Sequence, residues 1–367
     1  MQSKEMFAGL RVLELASVLA GPSVGQFFAE LGAEVIKVEN PKTGGDVTRS
    51  WKSAGEPTDD RSAYFCCCNW GKQSVALDLS QPADLEKLRE MVPTVDVVIA
   101  SYKPGDAEKL GVSYEQLKTI NQQLIYGQIT GYGSDDARVG YDAVIQAESG
   151  FMDLNGEDEG PPVKMPVALI DVLAAHQLKE ALLLALLHRA RTGQGGFVEV
   201  SLVHTALASL ANQATNWLVG KKLPKRQGSA HPNIAPYGDV FETKDRKQIL
   251  LAVGSDRQFE DLMEVLGLGH LDLRIFATNQ QRVKNREELN QLLSDRIKEK
   301  YSHDLMVALL AKKIPGGLVQ NVQEALAMDV AKEIMLEADG LRGVRNFVGK
   351  MSFADVKKQL SEPPALA

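Results

Sequence analysis

The sequence is poor in cysteine. It has three, Cys66, Cys67 and Cys68, and they are adjacent. Neighbouring residues on an extended segment point to opposite faces, so these thiols cannot surround a metal ion. We expect them to be small buried hydrophobic residues, as free cysteines usually are. A thiol nucleophile would need a base or a helix terminus to lower its pKa, and the neighbouring sequence supplies neither.

Long apolar runs and an excess of positive charge are also missing. The longest apolar run near the middle of the chain, residues 181–187, is far too short to cross a bilayer. Residues 1–5 lack the apolar core of a signal peptide. The formal net charge of −7 argues against the broad basic face that a nucleic acid or an anionic membrane requires. We therefore expect a cytoplasmic protein with neither kind of partner.

The motifs of several enzyme classes are absent as well. The six histidines form no His-Glu-x-x-His run and no paired Cys/His spacing, so no metal site is predicted. There is no Gly-x-Ser-x-Gly nucleophile elbow and no phosphate-binding loop ending in Gly-Lys-Ser/Thr. The chemistry must come from residues outside these motifs.

What is present is an alternation of apolar strands and helices, which is typical of an α/β fold with a parallel sheet. Pro22 suits the first turn of a helix and Gly32 suits its end. A long helix, buried on most sides, is predicted from Asp171 to near Gly193. Strands are predicted at 11–15, 34–38, 74–77, 96–100, 124–129 and 197–202, and further helices at 21–31, 83–91 and 114–120.

The length favours one large and one small domain. The α/β pattern fills residues 1–218. Residues 219–235 have the polar, glycine- and proline-containing composition of a linker. Residues 236–314 predict a small α+β domain, in which two strands joined by a polar turn precede helices. The tail, 315–367, has a mixed pattern that leaves its domain open.

The first strand–helix turn, residues 16–25, offers a helix N-terminus that attracts anions. Glu39 stands where a dinucleotide-binding fold holds a ribose hydroxyl, but the turn lacks the three-glycine fingerprint. Both a ligand site and ordinary helix packing remain open here. Basic residues recur near the expected strand ends and would form a phosphate site if they converged: Lys37, Lys42, Arg49, Lys72, Lys103 and Lys109.

Asp171 is the most informative carboxylate. It follows the strand-like run 167–170 and directly precedes a long helix, which is an N-cap position. Capping and the helix dipole favour its ionised form, which a nucleophile or a base requires. From the local sequence alone, plain helix capping is the favoured explanation of this residue.

Eight sequence blocks occur in a fixed order: GLRVLEL (9–15), AGP (20–22), LGAEVIKVE (31–39), GDVTR (45–49), NWGKQSVALD (69–78), YKPG (102–105), ITGYG (129–133) and RTGQG (191–195). Together they resemble the class III CoA-transferases, the family of formyl-CoA transferase and carnitine CoA-transferase. The resemblance covers most of the chain. It implies a CoA-transferase that moves CoA between an acyl-CoA and a carboxylic acid, with no tightly bound cofactor.

The resemblance also implies an architecture and a site. Residues 315–367 would complete a Rossmann-like large domain, and two subunits would interlock as rings in a homodimer. The catalytic aspartate falls on Asp171 and a neighbouring carboxylate on Asp142. Asp171 would attack the donor thioester to give an anhydride and CoA thiolate, after which the thiolate forms an aspartyl-CoA thioester or stays beside the anhydride. The CoA-binding positions are Val18, Leu19, Ala20, Lys72, Tyr102 and Lys109, to which we add the basic residue Lys42.

Some positions depart from the family pattern. Leu19 replaces a glutamine and Lys109 an arginine, although Lys109 still offers a phosphate a point charge. The glycine-rich mobile loop is replaced by residues 228–232. Related α-methylacyl-CoA racemases need a histidine where this chain has Tyr141 before Asp142, so a transferase is favoured over a racemase. A non-catalytic CoA- or dinucleotide-binding module is the third hypothesis.

Overall fold

A computed structural model describes residues 5–367, so the prediction about a signal peptide at residues 1–5 lies almost wholly outside the described residues. The strands are β1 (Arg11–Leu15), β2 (Glu34–Glu39), β3 (Gln73–Ala76), β4 (Val97–Ala100), β5 (Ile125–Thr130), β6 (Gly196–Ser201), β7 (Tyr237–Glu242), β8 (Gln248–Ala252), β9 (Gly316–Leu318), β10 (Met335–Ala338) and β11 (Leu341–Val344).

Helices separate most of these strands. They are α1 (Ala20–Glu30), α2 (Ala63–Cys66), α3 (Pro82–Met91), α4 (Asp106–Lys109), α5 (Tyr114–Leu117), α6 (Asp142–Glu148), α7 (Phe151–Leu154), α8 (Leu169–Thr192), α9 (Leu202–Ser209), α10 (Ala211–Leu218), α11 (Asp256–Val265), α12 (Asn279–Lys284), α13 (Arg286–Ile297), α14 (Ser302–Ala311) and α15 (Val322–Ala327). Among the helices of residues 5–367, none combines the length and apolarity that a bilayer span requires.

The predicted parallel sheet is confirmed. Six strands pair in the order β3-β2-β1-β4-β5-β6, and every pair is parallel. This is the strand order of the doubly wound dinucleotide-binding folds. The order reverses between β1 and β4, and a crevice opens at the carboxyl ends of the strands at such a point. The topology thus indicates where a ligand site should lie.

Strand β4 shows why this sheet is covered on both faces. All four of its residues are buried, and successive side chains point to opposite faces. Val97 and Ile99 join the core beneath helices α1 and α8, whereas Val98 and Ala100 join the core on the other face with Leu88 of α3. A strand with no solvated face has a continuous apolar sequence, and this pattern is what predicted β4.

Helix α8 differs from its prediction at both its start and its surface. It begins at Leu169, so residues 167–170 do not form a strand, and Asp171 is the third helical residue rather than the N-cap. The N-cap is Ala168, which makes no side-chain cap. The helix was expected to be buried on most sides, yet Leu183, Leu184 and Leu187 are 42%, 68% and 48% exposed.

The chain divides into two compact units. One comprises Met1–Phe151 (described from residue 5), Lys164–Ala211 and Val330–Ala367, and it contains the six-stranded sheet and the ribbon of β10 and β11. The other comprises Met152–Val163 and Asn212–Asp329. It contains an antiparallel sheet in the order β7-β8-β9, packed on α11, α13 and α14 around its own apolar core. The boundaries 218, 236 and 314 stay a prediction.

Candidate active site

A cavity of about 290 Å³ opens at the carboxyl ends of β1, β4 and β5, where the strand order reverses. The segments that follow these strands form much of its wall. Both predicted carboxylates, Asp142 and Asp171, also line it. The full set is 17–21, Val47, 101–104, 129–131, 138–142, Asp171 and Leu202.

Asp171 is a buried carboxylate in the first turn of α8. Only 8% of its surface is exposed, and its carboxylate accepts no hydrogen bond from residues 5–367. Burial raises the pKa of Asp171 to about 7, and the nearby charge of Asp142 adds to this. The expectation that a cap and the helix dipole keep Asp171 ionised is therefore wrong, because removal from water outweighs the dipole.

Asp142 is held differently although it lies beside Asp171. It begins helix α6 and is also buried. Its Oδ1 accepts a hydrogen bond from the backbone N–H of Ile170 at 2.8 Å, and its Oδ2 accepts one from Nε2 of Gln146 at 2.7 Å. Gln146 in turn accepts the backbone N–H of Met165 at 2.9 Å. Asp142 is thus fixed by neutral donors, whereas Asp171 keeps both oxygens available for chemistry.

The turn after β1 forms one wall of the cavity in a strained conformation. Val18 has a φ of 73°, which is unfavourable for a β-branched residue. Its backbone N–H donates to the two carboxylate oxygens of Asp46, each at 3.3 Å. Strain of this kind persists only when surrounding contacts enforce it, and it is concentrated at functional sites.

Two buried lysines support this turn from inside the protein. Nζ of Lys37 lies 2.9 Å from both Glu14 and Asp46 and donates to the carbonyl of Ala16. Nζ of Lys72 lies 2.8 Å from Glu14 and donates to the carbonyl oxygen of Pro22 and to Oδ1 of Asn69. Lys72 thus donates two hydrogen bonds and forms one ion pair inside the protein. Its side chain is fully buried, so a contact with CoA would require this part of the structure to open.

The basic residues near the strand ends do not converge on one phosphate site. Lys37, Lys72 and Arg49 are buried, and Arg49 pairs with Glu39 at 2.6 Å. Glu39 is therefore occupied by protein partners, which removes the sequence argument for a ribose hydroxyl at this position. Lys42 and Lys109 are exposed, outside the cavity wall, and pair with acidic side chains at 2.6 and 2.9 Å.

Four of the predicted CoA-binding residues line the cavity together: Val18, Leu19, Ala20 and Tyr102. Sequence reasoning did not assign Arg138 to the site, although it lines the same cavity, and it named Lys103 only among the basic residues. Lys103 is exposed and makes no ion pair with residues 5–367. Its place in the YKPG block was an available signal, but no motif marks Arg138.

The cysteines and histidines take no part in this cavity. Cys66 and Cys68 are buried as expected, but Cys67 is exposed, so the prediction of three buried thiols is wrong for Cys67. Among the described residues that line the cavity, none is a cysteine or a histidine. Within residues 5–367 no group of histidine, cysteine and acidic side chains is arranged to hold a metal ion.

Comparison with known proteins gives a consistent result. The sequence matches CoA-transferase family III over residues 7–365. The succinate–glutarate CoA-transferase of Agrobacterium fabrum is 39% identical, over 92% of this chain and 85% of that protein. The succinyl-CoA:glutarate CoA-transferase of Mus musculus is 35% identical, over 99% and 84%. A solved CAIB/BAIF family protein from Brucella suis has a TM-score of 0.87 at 40% identity, over 99% of this chain and 97% of that one.

Proposed function

The chain belongs to CoA-transferase family III, and from this premise we propose that Asp171 is the carboxylate that carries the acyl group. The enzyme is an acyl-CoA:carboxylate CoA-transferase, as the resemblance of its ordered blocks implied. The observation that carries the proposal is a buried carboxylate in the cavity wall that accepts no hydrogen bond from residues 5–367. A nucleophile needs such free oxygens.

The proposed reaction conserves the thioester without using water. The Asp171 carboxylate attacks the carbonyl carbon of the donor, the carbon–sulfur bond breaks, and an aspartyl anhydride and CoA thiolate form. The thiolate then attacks the aspartyl carbonyl, which releases the first acid and leaves an aspartyl-CoA thioester. The acceptor carboxylate attacks the aspartyl carbonyl carbon, the carbon–sulfur bond breaks, and a second anhydride and CoA thiolate form. The thiolate then attacks the acceptor's carbonyl carbon, which gives the new acyl-CoA and frees the Asp171 carboxylate. Every step exchanges one leaving group for one nucleophile.

The environment of Asp171 suits this cycle. With a pKa near 7, the carboxyl is a stronger nucleophile when ionised than an ordinary aspartate, and about half of it is ionised at neutral pH. The same burial that raises its pKa excludes the water that would hydrolyse an anhydride. The cost is that the protonated half of the enzyme is inactive at pH 7.

We place the CoA thioester along the turn after β1 and beside Tyr102. The acyl end enters the cavity, and the phosphates lie at its rim, where the exposed Lys103 offers an ammonium that no described residue pairs with. Lys42 and Lys109 are exposed and available to the part of CoA that extends beyond the cavity. Lys72 would act indirectly, because its hydrogen bond to the carbonyl oxygen of Pro22 holds the first turn of α1 in place.

The acids themselves are proposed to be dicarboxylic. The relatives from Agrobacterium fabrum and Mus musculus are named for succinate and glutarate, which are short dicarboxylic acids. A cavity of about 290 Å³ has room for an acyl chain of this length. A racemase is not proposed, because none of the described cavity residues is the histidine that its second proton transfer requires.

An interlocked homodimer completes the proposal. Its support is the family membership and the apolar face that α8 exposes at Leu183, Leu184 and Leu187. Interlocked subunits separate only with partial unfolding, so dilution should leave the dimer intact. Native mass measurement over a dilution series tests this, and monomers that increase on dilution would contradict the interlocked arrangement.

The catalytic proposal is tested by Asp171→Ala. We expect this variant to lose turnover by a factor on the order of 10⁴ while it still binds acyl-CoA, since the cavity wall remains. Calorimetric titration with a non-reacting CoA thioether measures the binding separately from the chemistry. Turnover retained within a factor of ten would remove Asp171 from the mechanism.

A further inference from the structure

We infer that Arg138 forms a subsite for the distal carboxylate of a dicarboxylic substrate, an inference that rests on the proposed function. Among the described residues that line the cavity, only Lys103 and Arg138 are cationic. A substrate with a second carboxylate enters a cavity that already contains Asp142 and Asp171. The distal carboxylate would be repelled by these aspartates, so a fixed cation must pair with it if such acids are to bind.

The loop that carries Arg138 is closed at its base by two glycines. A Cβ atom on Gly140 would lie 2.5 Å from Cα of Gly131, and one on Gly131 would lie 2.7 Å from Cα of Gly140. Such an approach leaves no room for a side chain at either position. Residues 132–139 therefore form a loop whose two ends lie together beside the end of β5, and Arg138 lies near the second end, on the cavity wall.

Contacts within the same loop fix the guanidinium. Its central carbon lies 3.7 Å from the ring centroid of Tyr132, whose hydroxyl donates to Glu148 at 2.9 Å. Nε of Arg138 donates to Asp136 at 3.0 and 3.2 Å, and Nη2 donates to it at 2.8 Å. Stacking and pairing on one side hold the planar group in a defined orientation.

The other side of the guanidinium retains free donors. Nη1 donates no hydrogen bond to residues 5–367, and its nearest acidic oxygen, on Glu148, is 3.6 Å away. Nη2 carries two hydrogens, of which Asp136 takes one. The edge formed by Nη1 and Nη2 can thus receive both oxygens of a carboxylate, a bidentate geometry that the Lys103 ammonium cannot offer.

The existing partners of Arg138 do not neutralise it fully. The side chain is 60% exposed, and ion pairs at exposed positions are weak because water screens them. Pairing with Asp136 therefore positions the group more than it consumes its charge. A substrate carboxylate on the free Nη1–Nη2 edge would form a bidentate pair, which is stronger and more directional than a single charged hydrogen bond.

The test compares two acyl groups of the same chain length. In one arm, exchange of labelled succinate with succinyl-CoA is measured, and in the other, exchange of labelled butyrate with butyryl-CoA. Each arm contains one acyl group only, so donor and acceptor steps share the same subsite. The variants are Arg138→Gln and Arg138→Lys, with Arg257→Gln as a matched control at an exposed position in α11.

We expect Arg138→Gln to lower kcat/KM for succinyl exchange by on the order of 100-fold, while butyryl exchange stays within about threefold of wild type. Arg138→Lys should restore part of the loss because it keeps the charge without the fork. Arg257→Gln should match wild type in both arms. Thermal unfolding of each variant checks that the fold is retained.

Three results would overturn the subsite. Equal losses of kcat/KM for succinyl and butyryl exchange would mean that Arg138 only holds the loop. Unchanged kcat/KM in both arms would mean that Arg138 does not contact the substrate. A wild type that does not prefer succinyl over butyryl would leave no subsite to explain. Failure of the proposed function has a different signature. In that case neither acyl group exchanges in the wild type, and Asp171 is not labelled by either donor.

Discussion

Replacement of Asp171 by asparagine should stabilise the protein while it abolishes activity. A carboxyl whose pKa is higher in the folded protein than in the unfolded chain binds more protons when folded, so its presence costs stability as the pH rises. The rise from 3.8 to about 7 corresponds to about 4 kcal/mol at high pH. The helix dipole favours the anion in the first turn by about 0.3–1 kcal/mol, and asparagine loses that benefit.

The expected gain for Asp171→Asn is therefore about 3 kcal/mol in the free energy of unfolding at pH 8. The gain should be less than about 1 kcal/mol at pH 4, grow between pH 4 and 7, and level off above the pKa of the folded state. The isosteric amide breaks no hydrogen bond, because residues 5–367 donate none to this carboxylate. Urea denaturation at several pH values measures the gain.

Asp304→Asn is the matched control for this experiment. Asp304 is also the third residue of its helix, α14, but it is exposed to solvent. Its replacement should destabilise the protein slightly, by less than about 1 kcal/mol, since only the dipole interaction is lost. If Asp171→Asn behaves like this control, burial does not raise the pKa of Asp171 and the electrostatic reasoning fails.

Two further predictions concern the carboxylates of the cavity and the buried Lys72. The kcat/KM for acyl-CoA should rise with pH to a plateau above about pH 7, as Asp171 becomes ionised. Asp142→Asn should shift this rise to lower pH, because it removes the negative charge beside Asp171. If the rise does not shift, another group controls the pH dependence. Lys72→Met should cost about 3–5 kcal/mol in urea denaturation because it leaves buried Glu14 with one cation fewer. Lys118→Met removes a cation from an exposed pair and should leave the urea midpoint nearly unchanged. Equal effects would show that the buried pair is unimportant.

The sheet was predictable because its signal is local. Each buried parallel strand reads as a short apolar run, and observed strands such as β4 and β6 begin and end within about a residue or two of the predicted ones. The start of α8 was misplaced because residues 167–170 are also an apolar run. At that length, apolarity alone does not separate a strand from the first turn of a buried helix.

The ionisation of Asp171 could not be predicted from its own segment. Its pKa depends on burial and on Asp142, which the fold brings from helix α6 to the first turn of α8. Capping rules describe an exposed helix end, and they predicted the opposite direction. The family resemblance implied a role for Asp171, but only the packed structure shows the burial and the neighbouring carboxylate that raise its pKa.

The burial and the ion pair of Lys72 could not be predicted from its own segment either. A lysine at a strand end is compatible with a phosphate ligand or with a buried pair, and the difference lies in Glu14 on β1 and Asn69 in the preceding turn. Arg138 was not assigned to the site because no sequence pattern points to it. It lies in an irregular loop with no motif, whose two ends meet at Gly131 and Gly140 on the cavity wall.

Trapping of the covalent intermediate tests the central claim most directly. The enzyme is incubated with succinyl-CoA and then with hydroxylamine, which converts an activated carboxyl to a hydroxamate. Mass analysis of the peptide that contains residues 167–173 should show this modification on Asp171, and Asp142→Asn should leave it in place. Donor turnover confirmed in the same sample, with Asp171 unmodified or with the hydroxamate on Asp142 instead, would contradict Asp171 as the nucleophile.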